Sequence, residues 1–150
     1  MAYLPSRISD SASTFSVNAT GTGQIINNVV TYDIIEWTTA VWDTESEFDL
    51  GNNRFQPSVA GYYQLNASMS FQSGGSNDNG RIAFFKNGVI DINGDQFINN
   101  PGHFHASTQM YLNGTTDFVD VRVWRNSVSG IFVDDDITQT WFDGSFILGE

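Results

Sequence analysis

The sequence predicts an all-β domain, a sandwich or barrel, and three observations lead to that prediction. Residues 62–72 alternate apolar and polar side chains with a period of two, which is typical of a strand with one buried face. Asn-Gly pairs at Asn87 and Asn113 fall between apolar stretches, where this dipeptide indicates a hairpin turn. The 12 phenylalanines, 5 tyrosines and 4 tryptophans favour pleated sheet, and no helical period persists.

The strands can be placed by their alternation. The clearest, 62–72, has five apolar residues on its buried face: Tyr63, Leu65, Ala67, Met69 and Phe71. A second strand, 117–125, alternates valines with polar residues, and a third, 141–148, is expected to share three apolar residues on one side: Phe142, Phe146 and Leu148. Weaker patterns predict seven further segments: 29–37, 40–43, 47–50, 81–86, 89–92, 104–112 and 130–133.

The chain divides into a short arm and one domain. Its 150 residues suit a single core, and the stretches 72–80 and 93–103 are interpreted as loops within it. Residues 1–14 hold Pro5, five serines or threonines and few apolar residues, which indicates an N-terminal arm. The domain is therefore predicted to span residues 15–150.

Charge and composition exclude several classes of function. Six Lys and Arg against 17 Asp and Glu give a net charge of −11, which repels nucleic acid and anionic membrane surfaces. Without cysteine, the chain can form neither a disulfide nor a cysteine-based zinc site. No apolar run is long enough for a signal peptide or a membrane span, so we expect folding in a cytoplasm without secretion.

Four motifs in order carry a resemblance to a known family. Phe55, Pro57, Gly61 and Tyr63 are similar to a stretch in the globular head of complement component 1q and the related tumour necrosis factor fold. Lys86-Asn87-Gly88 resembles that family's hairpin, and 112–121 its glycine turn and following strand. Phe142 and Gly144 resemble its final strand motif.

The resemblance implies a ten-stranded, two-sheet jelly-roll sandwich assembled as a homotrimer. In the family, the less apolar face of the strand at 62–72 approaches the threefold axis, and His105 would lie near it. The trimer-interface candidates are therefore Tyr62, Gln64, Asn66, His105 and Phe142.

The sequence offers few candidate residues for metal binding, ligand binding or catalysis. His103 and His105, two residues apart on a strand, would face the same way, but they make an incomplete metal shell. The run 134–136 of three aspartates is interpreted as a solvated loop, with a calcium site as the alternative. Trp42, Trp124 and Trp141 are assigned to packing, with sugar binding as the alternative. No nucleophile motif is present, so no catalytic residue, metal or cofactor is predicted.

The function expected from the resemblance and from elimination is a non-enzymatic virion protein of a bacteriophage. The first hypothesis is a trimeric capsid decoration (cement) protein on the virion surface, assembled in the host cytoplasm with capsid or tail proteins as partners. Five arm residues are the capsid-anchoring candidates: Tyr3, Leu4, Pro5, Arg7 and Ile8. The alternative is the receptor-binding tip of a tail or head fibre, with a host surface glycan as a candidate partner. A bacterial lectin and an enzyme have less support.

Overall fold

The computed structural model describes residues 13–21, 23–26, 31–72, 79–98, 102–126, 131–134 and 136–149. The five arm candidates between Tyr3 and Ile8 lie outside these residues. The described residues contain no helix, and therefore no helix long enough to cross a membrane.

Thirteen strands lie in the described parts of the chain. They are β1 (Thr14–Asn18), β2 (Ile25–Ile26), β3 (Asp33–Ile34), β4 (Thr39–Asp43), β5 (Phe48–Asp49), β6 (Arg54–Phe55), β7 (Ala60–Gln72), β8 (Asn79–Lys86), β9 (Val89–Ile98), β10 (His103–Asn113), β11 (Val119–Asn126), β12 (Ile131–Val133) and β13 (Trp141–Gly149). All pairings between them are antiparallel.

The strands form two sheets that confirm the predicted jelly-roll sandwich. The body of sheet 1 runs β4-β1-β13-β7-β10, and the short β12 and β2 continue it beyond the end of β13. The body of sheet 2 runs β5-β6-β11-β8-β9, and β3 adds to the edge of β11. The two five-stranded bodies together make the ten-stranded, two-sheet sandwich that the resemblance implies.

Strand β7 lies at the centre of sheet 1 and follows the alternation read from the sequence. The five residues predicted to face the core are each at most 5% exposed: Tyr63, Leu65, Ala67, Met69 and Phe71. Between them, the remaining side chains of β7 point away from sheet 2. The valines of β11 are likewise buried, as predicted.

An aromatic cluster joins the two sheets. The ring of Phe15 from sheet 1 stacks on Phe55 of sheet 2 at a centroid distance of 4.2 Å. Phe142 meets Phe15 edge-on at 4.9 Å and also contacts Phe48 and Phe84 across the sandwich. Such tilted and edge-on pairs add to the burial that holds the layers together.

Two predictions about turns have different outcomes. Asn87 and Gly88 have φ of 53° and 78° and connect β8 to β9 as the predicted hairpin. The hairpin expected at Asn113 is wrong, because β10 pairs in sheet 1 with β7 whereas β11 pairs in sheet 2 with β8. The Asn113-Gly114 turn therefore carries the chain from one sheet to the other.

Three further sequence predictions are corrected. Leu148 is 58% exposed, because the pairing of β13 with β7 shifts register between Phe146 and Leu148 and so breaks the alternation. The loop predicted at 93–103 is largely strand, since β9 continues to Ile98 and β10 begins at His103. Within 29–37, only Asp33–Ile34 is strand in the described residues.

Candidate functional site

The outer face of sheet 1 is the surface that turns away from sheet 2. Along β7 its side chains are those of Tyr62, Gln64, Asn66 and Ser68, of which Ser68 is covered and donates to the carbonyl of Gln139. Their neighbours on β10 are, in register, Tyr111, Gln109, Ser107 and His105. Their neighbours on β13 are Leu148, Ser145, Asp143 and Trp141. The face is thus an ordered array of side chains from three adjacent strands.

A hydrogen-bond network occupies the middle of this face. Gln64 Nε2 donates to Ser107 Oγ and to Asn66 Oδ1, both at 3.0 Å. Ser107 Oγ donates to the same Asn66 oxygen at 2.8 Å, and Asn66 Nδ2 donates to Asp143 Oδ1 at 2.9 Å. These polar groups satisfy one another, so the network fixes the side chains in place and lowers the cost of covering them.

Asp143 is the half-buried carboxylate of this network. Burial raises its pKa above the ordinary value of 3.8, and the hydrogen bond from Asn66 opposes that shift in part. The carboxylate is therefore held in an environment that disfavours its charge.

Apolar side chains flank the network at both ends. At one end, Tyr62 and Leu148 are exposed, and the ring of Tyr62 lies 5.4 Å from that of Tyr111. At the other end, Trp42 and Trp141 line a cleft of about 330 Å³ together with Val41 and Ile137. Exposed aromatic and aliphatic residues around a satisfied polar centre are typical of a protein–protein contact surface.

The structure brings four of the five trimer-interface candidates onto this face: Tyr62, Gln64, Asn66 and His105. Phe142 requires a correction, because it is 0% exposed and packs in the aromatic cluster between the sheets. On β13 the outward positions are those of Trp141 and Asp143, which alternate with Phe142.

The candidate metal ligands occupy exposed or turn positions. His103 and His105 are both exposed on β10, and among the described residues no three His, Cys, Asp or Glu are placed to hold a metal ion. Asp136 accepts hydrogen bonds from the backbone N–H and hydroxyl of Thr138, which lower its pKa. Its own N–H donates to Asp134 Oδ1, so these carboxylates stabilise the turn before β13; Asp135 lies outside the described residues.

Glu47 is a buried carboxylate, although Glu45, two residues before it on the chain, is exposed. It is only 9% exposed and accepts hydrogen bonds from Ser13 Oγ and from both the N–H and the hydroxyl of Ser58. Sequence alternation gave no sign of this, because Ser13 and Ser58 are 34 and 11 residues away. The carboxylate therefore has a structural role: it holds Ser13, just before β1, against Ser58.

A second cleft lies on the outer face of sheet 2, and of its lining residues the sequence singled out only Trp124. Tyr32, Arg81, Gln96 and Trp124 line a space of about 370 Å³. Arg81 is the register partner of Trp124 on β11 and of Gln96 on β9, so these three side chains form one row across three strands. Tyr32 comes from the segment before β3 and lies over the sheet.

The comparisons with known proteins identify the fold. Murine APRIL superposes with a TM-score of 0.65 at 11% identity, covering 91% of this chain and 100% of that chain. Eiger TNF from S. frugiperda gives 0.66 at 8% identity, with 93% and 94% covered. The globular domain of zebrafish complement 1qA gives 0.56 at 14% identity, with 93% and 100% covered.

No protein-family model and no curated protein matches the sequence. The identities of 8 to 14% therefore support a statement about architecture alone. The chain folds as a two-sheet jelly-roll sandwich of the complement 1q and tumour necrosis factor type.

Proposed function

We propose that this chain is a non-enzymatic structural protein that associates as a homotrimer through the outer face of sheet 1 and decorates the capsid of a bacteriophage. The observation that carries the proposal is the segregation of charge between the two sheets. In the body of sheet 1, the four strands β1, β7, β10 and β13 together contain a single Asp, Glu, Lys or Arg, which is Asp143. The edge strand β4 adds Asp43, whose carboxylate accepts hydrogen bonds from the backbone of Glu47 and Phe48. Three strands of sheet 2 contain seven: Arg81, Lys86, Asp91, Asp95, Asp120, Arg122 and Arg125.

The segregation matters because the whole subunit carries a net charge of −11. Copies of such a subunit repel one another, so a self-contact costs least through a face with few charged groups, positive or negative, to remove from water. Sheet 1 offers such a face, and Asp143 within it has a raised pKa and a hydrogen-bond partner. A second copy of this chain is therefore the occupant that best fits the charge.

The exposed apolar residues on the same face supply the driving force. Tyr62 and Leu148 at one end and Trp42 at the other are all accessible in the single subunit. Burying apolar surface contributes roughly 25 cal/mol per Å², and aromatic residues are enriched at the centres of such contacts. The threefold arrangement follows the resemblance to the complement 1q and tumour necrosis factor fold.

Capsid decoration is supported by charge and by the exit point of the arm. A strongly acidic protein is suited to the outside of a particle, away from packaged nucleic acid. Ser13, at the start of β1, is fixed by its hydrogen bond to Glu47 and by accepting from Phe146 N at 2.8 Å. In a threefold assembly, symmetry directs all three arms from the same end of the trimer, where they can clasp a shell.

A pair of matched variants tests the self-contact. Leu148→Glu places a carboxylate at an exposed position on sheet 1, whereas Val89→Glu makes a comparable change at the β8–β9 hairpin of sheet 2. We expect wild type and Val89→Glu to be trimers by light scattering and native mass spectrometry, and Leu148→Glu to be a folded monomer. A wild-type monomer at micromolar concentration, or an equal effect of both variants, contradicts the proposal.

The decoration role is tested on particles. We expect the protein to occur in many copies on the capsid surface by electron microscopy, and removal of residues 1–12, which keeps Ser13, to prevent decoration while trimers persist. If the truncated chain still decorates shells, the arm does not anchor the protein. If the protein is found only at fibre tips, it is not a decoration protein.

The alternative is a receptor-binding tip of a tail or head fibre. The observation that favours it is the cleft between Tyr32 and Trp124 on the outer face of sheet 2. Isolated protein would then adsorb to host cells and be present in few copies per particle.

A further inference from the structure

Arg81 has an unusual environment for a cation in an acidic protein. Arg54, Lys86 and Arg122 each pair with a carboxylate, at distances of 3.8, 2.9 and 2.5 Å to Asp49, Asp117 and Asp120. Arg81 instead donates to an uncharged acceptor, Gln96 Oε1, at 2.7 Å. A guanidinium has five N–H donors, so most of its capacity to bind an anion remains available.

Two aromatic side chains stand beside this guanidinium. Trp124 is its direct cross-strand neighbour on β11, and Tyr32 lines the same cleft of about 370 Å³. That volume lies at the lower end of the range for small-molecule sites. Both side chains are half-buried, so each presents part of its ring to the cleft and part to the protein.

Tyr32 is held in position by contacts outside the cleft. Its ring packs edge-on against Phe85 at 5.1 Å, and its hydroxyl donates to Asn93 Oδ1 at 3.2 Å. Phe85 is itself covered by the guanidinium of Arg122, whose carbon lies 4.2 Å from the ring centroid. The aromatic wall is therefore formed before any ligand arrives, which lowers the entropy lost on binding.

The chemistry of the cleft selects a class of ligand. Flat aromatic surfaces contact the apolar face of a sugar ring, while Arg81 and Gln96 offer hydrogen bonds to its oxygens. The guanidinium favours a carboxylate, which it can bind through two parallel hydrogen bonds. Nucleic acid is disfavoured as an occupant, because its many phosphates would all meet a subunit of net charge −11, whereas a single carboxylate can pair with Arg81 directly.

We propose that this cleft binds a carboxylate-bearing saccharide, with Arg81 holding the carboxylate and Tyr32 and Trp124 contacting the sugar ring. The inference does not depend on where the protein is located on a particle. It is also compatible with the proposed trimer, because the outer face of sheet 2 points away from the outer face of sheet 1.

The experiment uses an array of uronic-acid and sialic-acid oligosaccharides, each beside its carboxyl-reduced counterpart. We expect the full chain to bind at least one carboxylated glycan about tenfold or more above its reduced form. Arg81→Gln should remove that preference, and Trp124→Leu should weaken binding of both forms. Val89→Ala is the control, since Val89 is an exposed apolar residue at the β8–β9 hairpin, outside both the cleft and the outer face of sheet 1.

The outcomes separate this inference from the proposed function. It is overturned if no carboxylated glycan exceeds its reduced form, if Arg81→Gln binds as wild type does, or if Val89→Ala weakens binding as much as Trp124→Leu. Light scattering on the same samples reports self-association. If the protein is a monomer and binds carboxylated glycans through Arg81, the proposed trimer is wrong and the proposed saccharide site is supported.

Discussion

Gly144 of β13 lies directly beneath the ring of Phe15 of β1, its register partner. A Cβ built on Gly144 would come within 2.5 Å of Phe15 Cε1 and 2.8 Å of Leu65 Cδ2. The missing side chain thus leaves space for the Phe15 ring, which stacks across the sandwich on Phe55. The glycine of the final strand motif is explained by packing against the core.

Gly144→Ala is expected to destabilise the subunit, because the added methyl group would displace the Phe15 ring or the backbone of β13, and either shift disturbs the aromatic cluster. Overpacking of this kind costs about 1–3 kcal/mol in the free energy of unfolding, which denaturant titration measures. Gly102→Ala is the control, since a Cβ there has no atom within 4 Å. Equal stability of the two variants would contradict this account of Gly144.

The fold was predictable where alternation alone decides the structure. Strand β7 is strictly alternating, so its buried face and its outer face could both be assigned from the sequence. Asn113-Gly114 marked a turn correctly, but a turn signal does not specify which sheet the next strand joins. Leu148 could not be placed, because its exposure follows from a register shift that depends on the partner strand.

Glu47→Ala is expected to destabilise the subunit by about 2–3 kcal/mol, since hydrogen bonds to charged groups contribute more than neutral ones. The variant leaves the N–H of Ser58 and the hydroxyl of Ser13 without their acceptor. Glu45→Ala, at an exposed position two residues away, should change stability by less than about 0.5 kcal/mol. Thermal unfolding of both variants measures the difference, and a neutral Glu47→Ala would argue against the buried role.

The candidate sites were predictable to different degrees. Tyr62, Gln64 and Asn66 share one strand, so period two placed them on one face. The cleft of sheet 2 joins Tyr32, Arg81 and Trp124, whose proximity depends on the order of β3, β11 and β8 in the sheet. Sequence spacing carries no information about that order, and of these three residues only Trp124 was among the tryptophans with sugar binding as an alternative.

The raised pKa of Asp143 predicts a specific pH dependence. A carboxyl whose pKa is higher in the folded state than in the unfolded state binds a proton more tightly when folded. Stability relative to a variant without this carboxyl therefore rises as pH falls from neutral toward 3.8. Asp143→Asn keeps an acceptor for Asn66 Nδ2 and removes the titration.

We expect Asp143→Asn to equal or exceed wild type in stability at pH 7, and the gap to close as pH falls. Denaturant titrations from pH 7 to 4 measure the difference in unfolding free energy between the two proteins. Asp117 and Asp136, whose lowered pKa values have the opposite effect on stability, are present in both proteins, so their contributions cancel in that difference. If a second copy covers Asp143, self-association of wild type should strengthen over the same interval. A gap that is constant with pH would contradict the raised pKa.

Asn113 controls the crossing between the sheets. Its Oδ1 accepts hydrogen bonds from the backbone N–H groups of three successive residues, at 3.0, 2.9 and 2.9 Å: Thr115, Thr116 and Asp117. Asn113→Ala removes that acceptor and should cost about 1–2 kcal/mol. Thr116→Ala removes only the exposed bond from Asn113 Nδ2 to Thr116 Oγ1 and should be nearly neutral. Equal losses by denaturant titration would show that the side-chain bond to Thr116, rather than the backbone acceptor, holds the turn.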